Sequence, residues 1–136
     1  MKIYFAGSIR GGRENQELYA EMIRLLSKYG SVLTEHLGDK NLTETGETLG
    51  SREIYDRDIN WLNEADAVVA EATTPSLGVG YEVAKAESMN KKILCLYQSD
   101  GVKKLSAMID GNPGITKKEY TDVKDLPEIF DDFFKI

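Results

Sequence analysis

Four short apolar segments recur along this chain, and each is followed by residues with a different hydrophobic spacing. The segments are residues 2–6, 31–34, 67–70 and 92–97. Short runs rich in β-branched, aromatic and other apolar residues are typical of buried strands. Between them, apolar residues return every three or four positions, which predicts amphipathic helices. The alternation constrains the chain to an α/β fold with a mostly parallel sheet, because parallel strands need helix-length crossovers.

The same patterns predict the remaining elements. A weaker fifth strand is expected at residues 119–121, and residues 37–51 lack a sustained period, as expected of a mobile functional loop or a short irregular helix. About five strands in the order 2-1-3-4-5, with helices on both faces, form a single Rossmann-like domain over residues 1–136. The predicted helices cover residues 13–29, 53–65, 79–90, 105–109 and 126–134.

Composition excludes several function classes. Lys and Arg number 17 against 23 Asp and Glu, a formal charge of −6 that repels nucleic-acid polymers and anionic membranes. No segment approaches the roughly 20 apolar residues of a membrane span. One His and one Cys cannot assemble a zinc site, so no metal is expected. Cys95 lies in an apolar strand, where a buried thiol is favoured over a nucleophile, and the default compartment is a reducing cytoplasm.

A glycine-rich turn separates the first predicted strand from the first helix. Its residues are Gly7, Ser8, Ile9, Arg10, Gly11 and Gly12. Backbone amides at a helix N-terminus, with a hydroxyl and a guanidinium, suit a phosphate group. An ordinary βα turn explains the glycines equally well, and no Gly-Lys-Ser/Thr follows, so this is not a Walker loop.

A second glycine motif spans residues 75–82. Gly78 and Gly80 are expected to allow a sharp turn and close approach to a ligand, with Glu82 in the first helical turn. Val83 occupies the position of the third glycine of a dinucleotide fingerprint, and the motif follows the third strand, so no dinucleotide cofactor is expected. For Glu82, simple stabilisation by the helix dipole is the alternative interpretation.

Two carboxylates fall on apolar helix stripes. Asp58 lies on the same face of its helix as the apolar residues Ile54, Trp61, Leu62 and Ala65. Asp56 points elsewhere and is expected to be solvated. Glu82 lies on the same face of its helix as Val79, Val83 and Ala86. A carboxylate in such a place needs a partner or a raised pKa, and such a pair suits glycosidic cleavage. For Asp58, a buried cap or an ion pair is the alternative. Tyr4 is positioned either to hydrogen-bond one of these carboxylates or to fill the core. His36, at the end of the second predicted strand, is positioned to contact a ligand.

Several blocks of this sequence resemble the 2'-deoxynucleoside 5'-monophosphate N-glycosidases, which belong to the nucleoside 2-deoxyribosyltransferase group. The resemblance runs through nearly the whole chain in order, and the blocks at residues 4–13 and 75–82 are specific to this family. The blocks are residues 4–13, 33–36, 58–62, 75–82, 93–96 and 105–109.

The resemblance implies hydrolysis of the bond between base and deoxyribose, with Glu82 as nucleophile, Asp58 as acid–base group and Tyr4 as the residue that positions Glu82. It also implies a homodimer in which Ser106 serves the neighbouring subunit's phosphate site. By the same resemblance, the 5'-phosphate site consists of Ser8, Ile9, Arg10, Gly11, Gly12 and Ser76. With these, the predicted substrate-binding residues also include Gly7, His36, Gly78, Ser106 and Met108.

Two other functions remain open at this level. A nucleoside deoxyribosyltransferase would let a second base capture the sugar, but free nucleosides offer no phosphate for the Ser8–Gly12 turn and Ser76 to hold. A non-catalytic nucleotide-binding module would use Asp58 and Glu82 only structurally. The preferred base, and the choice between deoxyribose and ribose, are not predicted by these residues.

Overall fold

The computed structural model of the protein describes residues 1–9, 13–38, 49–98, 101 and 104–135. Its strands are β1 Lys2–Ala6, β2 Ser31–Val32, β3 Ala67–Glu71, β4 Lys92–Tyr97 and β5 Thr116–Glu119. Its α-helices are α1 Arg13–Leu26, α2 Ser51–Glu64, α3 Leu77–Ser88, α4 Ala107–Asp110 and α5 Leu126–Phe133. Short 3₁₀ helices cover Glu35–Gly38 and Val123–Asp125.

The five strands form one parallel sheet in the order β2-β1-β3-β4-β5, which confirms the predicted architecture and strand order. The order reverses at β1 and β3, which lie side by side with Ile3 opposite Ala67 and Ala6 opposite Ala70. In open α/β sheets the crevice at such a switch point, beyond the carboxyl ends of the strands, is the usual ligand site. A ligand site is therefore expected at the carboxyl ends of β1 and β3.

Helices cover the two faces of the sheet with separate apolar clusters. Phe5 packs with residues of α1 and α5 on one face, while its neighbour Tyr4 packs with residues of α2 and α3 on the other. Successive side chains of a strand point to opposite faces, so β1 contributes one aromatic residue to each layer. The two predicted catalytic carboxylates lie on α2 and α3, hence on the Tyr4 face.

β2 is shorter than predicted, because Thr34 ends it with side-chain hydrogen bonds. Its hydroxyl accepts from Phe5 N at 2.9 Å and donates to Phe5 O at 2.6 Å, so the side chain takes over the role of a strand partner. Similarly, α1 ends at Leu26 and a turn precedes Gly30, where a Cβ would lie 2.2 Å from Met1 O. Gly30 is therefore required by a close backbone approach.

The prediction for the start of α3 was wrong. Ser76 is its N-cap, and the helix begins at Leu77, two residues before the predicted start. Gly78 and Gly80 therefore have helical backbone and do not form a sharp turn, and Glu82 lies in the second turn. Distance from the first turn weakens the interpretation of Glu82 as a dipole-stabilising residue.

Two other segments differ from expectation. β5 is Thr116–Glu119, several residues before the predicted 119–121, because this exposed edge strand has no apolar period to define it. α2 begins at Ser51 and ends at Glu64, close to its predicted bounds. Most of the predicted 37–51 loop lies outside the described residues.

Candidate active site

Glu82 and Tyr4 form the centre of the site. The Tyr4 hydroxyl donates a hydrogen bond to Glu82 Oε2 at 2.5 Å, which links β1 to the second turn of α3. A bond from Tyr4 to one of the carboxylates was predicted from the sequence, and it is present. Val79, Val83 and Ala86 are buried, as the apolar stripe of α3 requires.

The surroundings of Glu82 oppose its charge. Burial raises the pKa of Glu82 from 4.5 to about 7; the Tyr4 hydrogen bond acts against this rise, and the charge of Asp58 adds to it. Burial, followed by the Glu82 charge, raises the pKa of Tyr4 well above its usual range, so its hydroxyl remains a donor at neutral pH. A carboxyl group that titrates near neutral pH is suited to nucleophilic or acid–base chemistry.

Asp58 faces the same region from α2. Its side chain is 24% exposed and accepts a hydrogen bond from Arg57 Nε at 3.0 Å. The charge of Asp58 acts on both Tyr4 and Glu82, so these three groups share one electrostatic environment. The ion-pair interpretation of Asp58 is thus met by Arg57, while Asp56 is exposed as predicted.

The turn after β1 approaches the site through its first residues. Gly7, Ser8 and Ile9 follow the strand; Ser8 is buried, and a Cβ at Gly7 would lie 2.7 Å from the Tyr19 ring. Only glycine lets that ring pack against the backbone here. The predicted phosphate ligands Arg10, Gly11 and Gly12 lie outside the described residues.

Gly78 lies close to the Glu82 carboxylate and to the Ser76 hydroxyl. The Ser76 hydroxyl accepts from Val79 N at 3.2 Å as the N-cap of α3. A Cβ at Gly78 would lie 3.7 Å from Glu82 Oε1 and 3.8 Å from Ser76 Oγ, both ordinary contacts. The protein itself does not demand a glycine at this position, so Gly78 keeps open the space between a hydroxyl and a carboxylate.

His36 lies at the edge of the site, in the 3₁₀ helix after β2. Its Nε2 is 3.5 Å from Arg57 Nη2, and its ring centroid is 5.7 Å from that of Trp61. The structure therefore brings His36 next to the Asp58–Arg57 pair. A ligand contact from this position remains a prediction.

A separate cavity of about 610 Å³ lies between α3 and the segment around α4. Ser76, Ser106 and Met108 line it, whereas Tyr4 and Glu82 do not. Ser106 is the N-cap of α4, and the Met108 side chain is 85% exposed. Within one chain, Ser106 and Met108 are thus grouped with Ser76 and not with the catalytic candidates.

Sequence reasoning missed Arg57. Neighbouring residues on a helix point about 100° apart. The spacing that places Asp58 on the inward face of α2 therefore places Arg57 off that face. The structure shows that the long Arg57 side chain bends toward Asp58, with its guanidinium carbon 4.7 Å from the centroid of the Trp61 ring. The i, i+4 spacing of Arg57 and Trp61 was the available indication.

Glu71 was also missed, although it is a charged residue at the end of an apolar strand. Its side chain is buried and accepts from Thr73 N at 2.7 Å, from Thr73 Oγ1 at 3.0 Å, and from the Tyr120 hydroxyl. These contacts anchor the segment between β3 and Ser76 to the far side of the sheet. Glu71 therefore holds the segment between β3 and Ser76 in place.

Cys95 is buried in β4, and burial raises the pKa of its thiol to about 12, which confirms it as a small core residue. Among the residues that the structure describes, no group of three or more His, Cys, Asp or Glu side chains has the arrangement of a metal site. Along the same residues, no helix has both the length and the apolar character needed to cross a membrane.

The chain is similar to known proteins over nearly its whole length. The family model described as nucleoside 2-deoxyribosyltransferase matches residues 3–118. A Tetraodon nigroviridis protein named 5-hydroxymethyl-dUMP N-hydrolase is 48% identical, over 98% of this chain and 97% of its own length. A Rattus norvegicus protein of the same name is 53% identical, over 80% of this chain and 68% of its own.

Solved structures share the fold at much lower identity. A CMP N-glycosidase of Clostridium botulinum has a TM-score of 0.68 at 18% identity, covering 98% of this chain and 99% of its own. A 2-deoxyribosyltransferase of Bacillus psychrosaccharolyticus has a TM-score of 0.66 at 16% identity, covering 93% and 90%. With a family model matched over most of its length and full-length relatives near half identity, the chain belongs to the nucleoside 2-deoxyribosyltransferase family.

Proposed function

We propose that this protein is a hydrolase that cleaves the N-glycosidic bond of 2'-deoxynucleoside 5'-monophosphates, releasing the free base and 2-deoxyribose 5-phosphate. The observation that carries the proposal is the partly buried Glu82 carboxyl group, held by Tyr4 and acted on by the charge of Asp58. The relatives named 5-hydroxymethyl-dUMP N-hydrolases support this substrate class and make 5-hydroxymethyl-dUMP the first compound to test.

The proposed reaction retains configuration in two steps. Ionised Glu82 attacks the anomeric carbon and the base leaves, giving a deoxyribosyl ester on Glu82; water then attacks the same carbon and releases Glu82. Asp58 is the acid–base group, and Tyr4 orients Glu82 through the 2.5 Å hydrogen bond. Because the sugar lacks a 2'-hydroxyl, its cationic transition state is less destabilised and needs modest assistance.

The 5'-phosphate is proposed to bind at the turn after β1 and at the N-terminus of α3. Support comes from Ser8, which is buried where β1 ends, and from Ser76, which caps α3 beside Gly78. Backbone amides at a helix N-terminus favour a phosphate, and a grip remote from the reacting bond supplies binding energy for catalysis. Arg10, Gly11 and Gly12 are proposed to complete this grip.

We further propose a homodimer in which Ser106 of one subunit contacts the phosphate held by the other. Ser106 and Met108 line the 610 Å³ cavity together with Ser76 but without Tyr4 or Glu82, and Leu77, which also lines it, is 96% exposed. Apolar side chains this exposed beside a concave surface are typical of a protein–protein contact. The buried free thiol of Cys95 is compatible with work in a reducing cytoplasm.

The decisive experiment measures base release by chromatography from 5-hydroxymethyl-dUMP, other deoxynucleoside monophosphates, ribonucleotides and free deoxynucleosides. We expect release from the deoxynucleotides, loss of most activity in Glu82→Ala, and weaker activity in Asp58→Asn. Asp56→Asn, on the exposed face of α2, is the matched control and keeps full activity.

Three outcomes would contradict the proposal. Unchanged turnover in Glu82→Ala would remove Glu82 as the nucleophile. Faster transfer of the sugar between bases than to water would identify a deoxyribosyltransferase. Nucleotide binding without release of any base would leave a nucleotide-binding module.

A further inference from the structure

The Arg57 side chain takes an uncommon path along α2. Adjacent helical residues do not face each other, yet Arg57 Nε and Nη2 both lie 3.0 Å from Asp58 Oδ1. The exposed fractions of the two side chains are 23% and 24%, so the pair is largely removed from solvent. The guanidinium has therefore moved off its expected face to join the acid–base candidate.

Two aromatic neighbours hold the guanidinium there. Its central carbon lies 4.7 Å from the centroid of the Trp61 ring, one helical turn further along α2, and Nη2 lies 3.5 Å from His36 Nε2. Trp61 and His36 are themselves adjacent, with ring centroids 5.7 Å apart. A planar cation fixed against an aromatic face has few alternative positions, so its charge is preorganised.

The charge of Arg57 acts on Tyr4. The positive charge of Arg57 opposes the rise in the pKa of Tyr4, and the negative charge of Asp58 contributes to that rise. The Tyr4 hydroxyl donates a hydrogen bond to Glu82, so the charge of Arg57 acts on the residue that holds the proposed nucleophile. Arg57 thus places a positive charge beside Asp58 and Tyr4, on the side of the site formed by α2.

The chemistry of base departure requires such a charge. When the bond from C1' to a pyrimidine N1 breaks, its electron pair stays on the base and the negative charge spreads to the neighbouring carbonyl oxygen. Either a proton or a fixed cation must stabilise that charge. Asp58 Oδ1 already accepts from the Arg57 guanidinium, so on this side of the site Asp58 presents an acceptor oxygen and Arg57 the positive charge.

On the basis of the function proposed above, we propose that Arg57 is a catalytic residue that stabilises the departing base as an anion, and that Asp58 acts chiefly as the base of the second step. In the first step the Glu82 oxygen bonds to C1', the C1'–N bond breaks, and the base takes a proton from solvent. In the second, water bonds to C1', the ester bond to Glu82 breaks, and Asp58 accepts the water proton and later returns it to solvent.

The test compares substrates that differ in the need for leaving-group stabilisation. One set consists of dUMP and its 5-hydroxymethyl and 5-fluoro derivatives, whose bases differ in acidity. The other substrate is 4-nitrophenyl 2-deoxyriboside 5-phosphate, whose phenolate leaves readily without a nearby cation. The variants are Arg57→Gln, and as matched control Arg52→Gln, since Arg52 also pairs with an aspartate of α2, at 3.0 Å, but is 87% exposed.

We expect Arg57→Gln to lower kcat for the pyrimidine nucleotides about 100-fold, the loss typical of removing one preorganised charge-stabilising donor. The nitrophenyl substrate should change by less than about 3-fold, and kcat should depend more steeply on base acidity. Arg52→Gln should match the wild type throughout. Trp61 is the only tryptophan in the chain, so its fluorescence directly reports whether Arg57→Gln has altered the aromatic neighbourhood.

The possible failures are distinct. An equal loss on both substrate classes, or no loss on either, with an active wild type would overturn the role of Arg57 and leave the hydrolase proposal standing. Faster release of the pyrimidine bases by Arg57→Gln would show that Arg57 only restrains Asp58, and would also overturn it. A wild type that releases no base from any deoxynucleotide would overturn both.

Discussion

At the scale of single residues, Glu82 is a carboxyl group whose position favours its neutral form. Burial and the nearby Asp58 raise its pKa, and only the Tyr4 hydroxyl is identified as acting in the other direction. A nucleophile must be ionised, so the hydrogen bond from Tyr4 to Glu82 has a direct consequence for the pH range of activity.

Tyr4→Phe removes that hydroxyl and keeps the buried ring. Without the hydrogen bond, the pKa of Glu82 rises further, because the bond stabilises the ionised form. We expect the acidic limb of the kcat/KM profile to lie near pH 7 in the wild type and to move to higher pH in Tyr4→Phe. Tyr55→Phe, an exposed position on α2, serves as control; an unmoved limb in Tyr4→Phe would contradict the assignment of Glu82.

Glu82→Gln tests the same environment through stability. Since the pKa of Glu82 is about 7 in the folded protein and near 4.5 when unfolded, the folded state binds the proton more tightly. The Glu82 contribution is therefore favourable below pH 4.5 and is lost as pH rises to 7. As the pH rises from 5 to 8, the unfolding free energy of the wild type should therefore fall by about 1–3 kcal/mol relative to that of Glu82→Gln.

Urea unfolding at the two pH values measures this difference. Glu128→Gln, on the exposed surface of α5, is the control and should follow the wild type. Parallel pH dependences for wild type and Glu82→Gln would show that Glu82 is not held in a strongly desolvated environment.

At the scale of elements, the end of β3 is organised by Glu71. Its carboxylate receives hydrogen bonds from Thr73 and from Tyr120, while Thr73 Oγ1 accepts from Gln98 N at 2.8 Å. One buried acceptor thus ties the loop before Ser76 to the ends of β4 and β5. Buried carboxylates are stable only when such donors are present.

Tyr120→Phe deletes one donor from this network. Leaving a buried carboxylate oxygen without that partner costs about 1–3 kcal/mol of unfolding free energy, which a thermal or urea melt resolves. Tyr55→Phe, whose side chain is exposed, should change stability by less than about 0.5 kcal/mol. Equal stability of Tyr120→Phe and wild type would mean that solvent replaces the lost donor.

At the scale of the whole molecule, the proposed shared site makes a prediction that no single chain can mimic. Ser106→Ala should mainly raise KM for phosphorylated substrates, because Ser106 is proposed to contact the phosphate held by the other subunit. Mixing Ser106→Ala with Glu82→Ala chains would create dimers in which one site has both native residues. Random exchange of subunits should give about a quarter of all sites both native residues, Glu82 from one chain and Ser106 from the other.

Activity of the mixture is compared with the sum of the two separate variants at low substrate concentration, and light scattering checks that both remain dimers. An excess over that sum supports subunit sharing. Activity equal to the sum would show that Ser106 acts within its own chain or does not act at all. Leu77→Glu, at the exposed rim of the cavity, should abolish the excess by separating the subunits.

The sequence alone determined the α/β class, the strand order and the inward faces of α2 and α3, because these follow from hydrophobic periods that local sequence carries. It also led to the family and to the Tyr4–Glu82 hydrogen bond. It did not locate β5 or the start of α3. An exposed edge strand has no apolar period, and the Ser76 cap was recognised only from its bond to the Val79 amide.

Only the tertiary structure decided where the charged groups of the long side chains lie. Arg57 reaches Asp58 by bending across Trp61, and Glu71 is buried with hydrogen-bond partners at Thr73 and at the distant Tyr120. Neither arrangement follows from helical or strand periodicity, which defines the direction of a Cβ and not the position of a group several bonds beyond it. The charges of the site, and hence the roles proposed for Arg57 and Asp58, depend on that added reach.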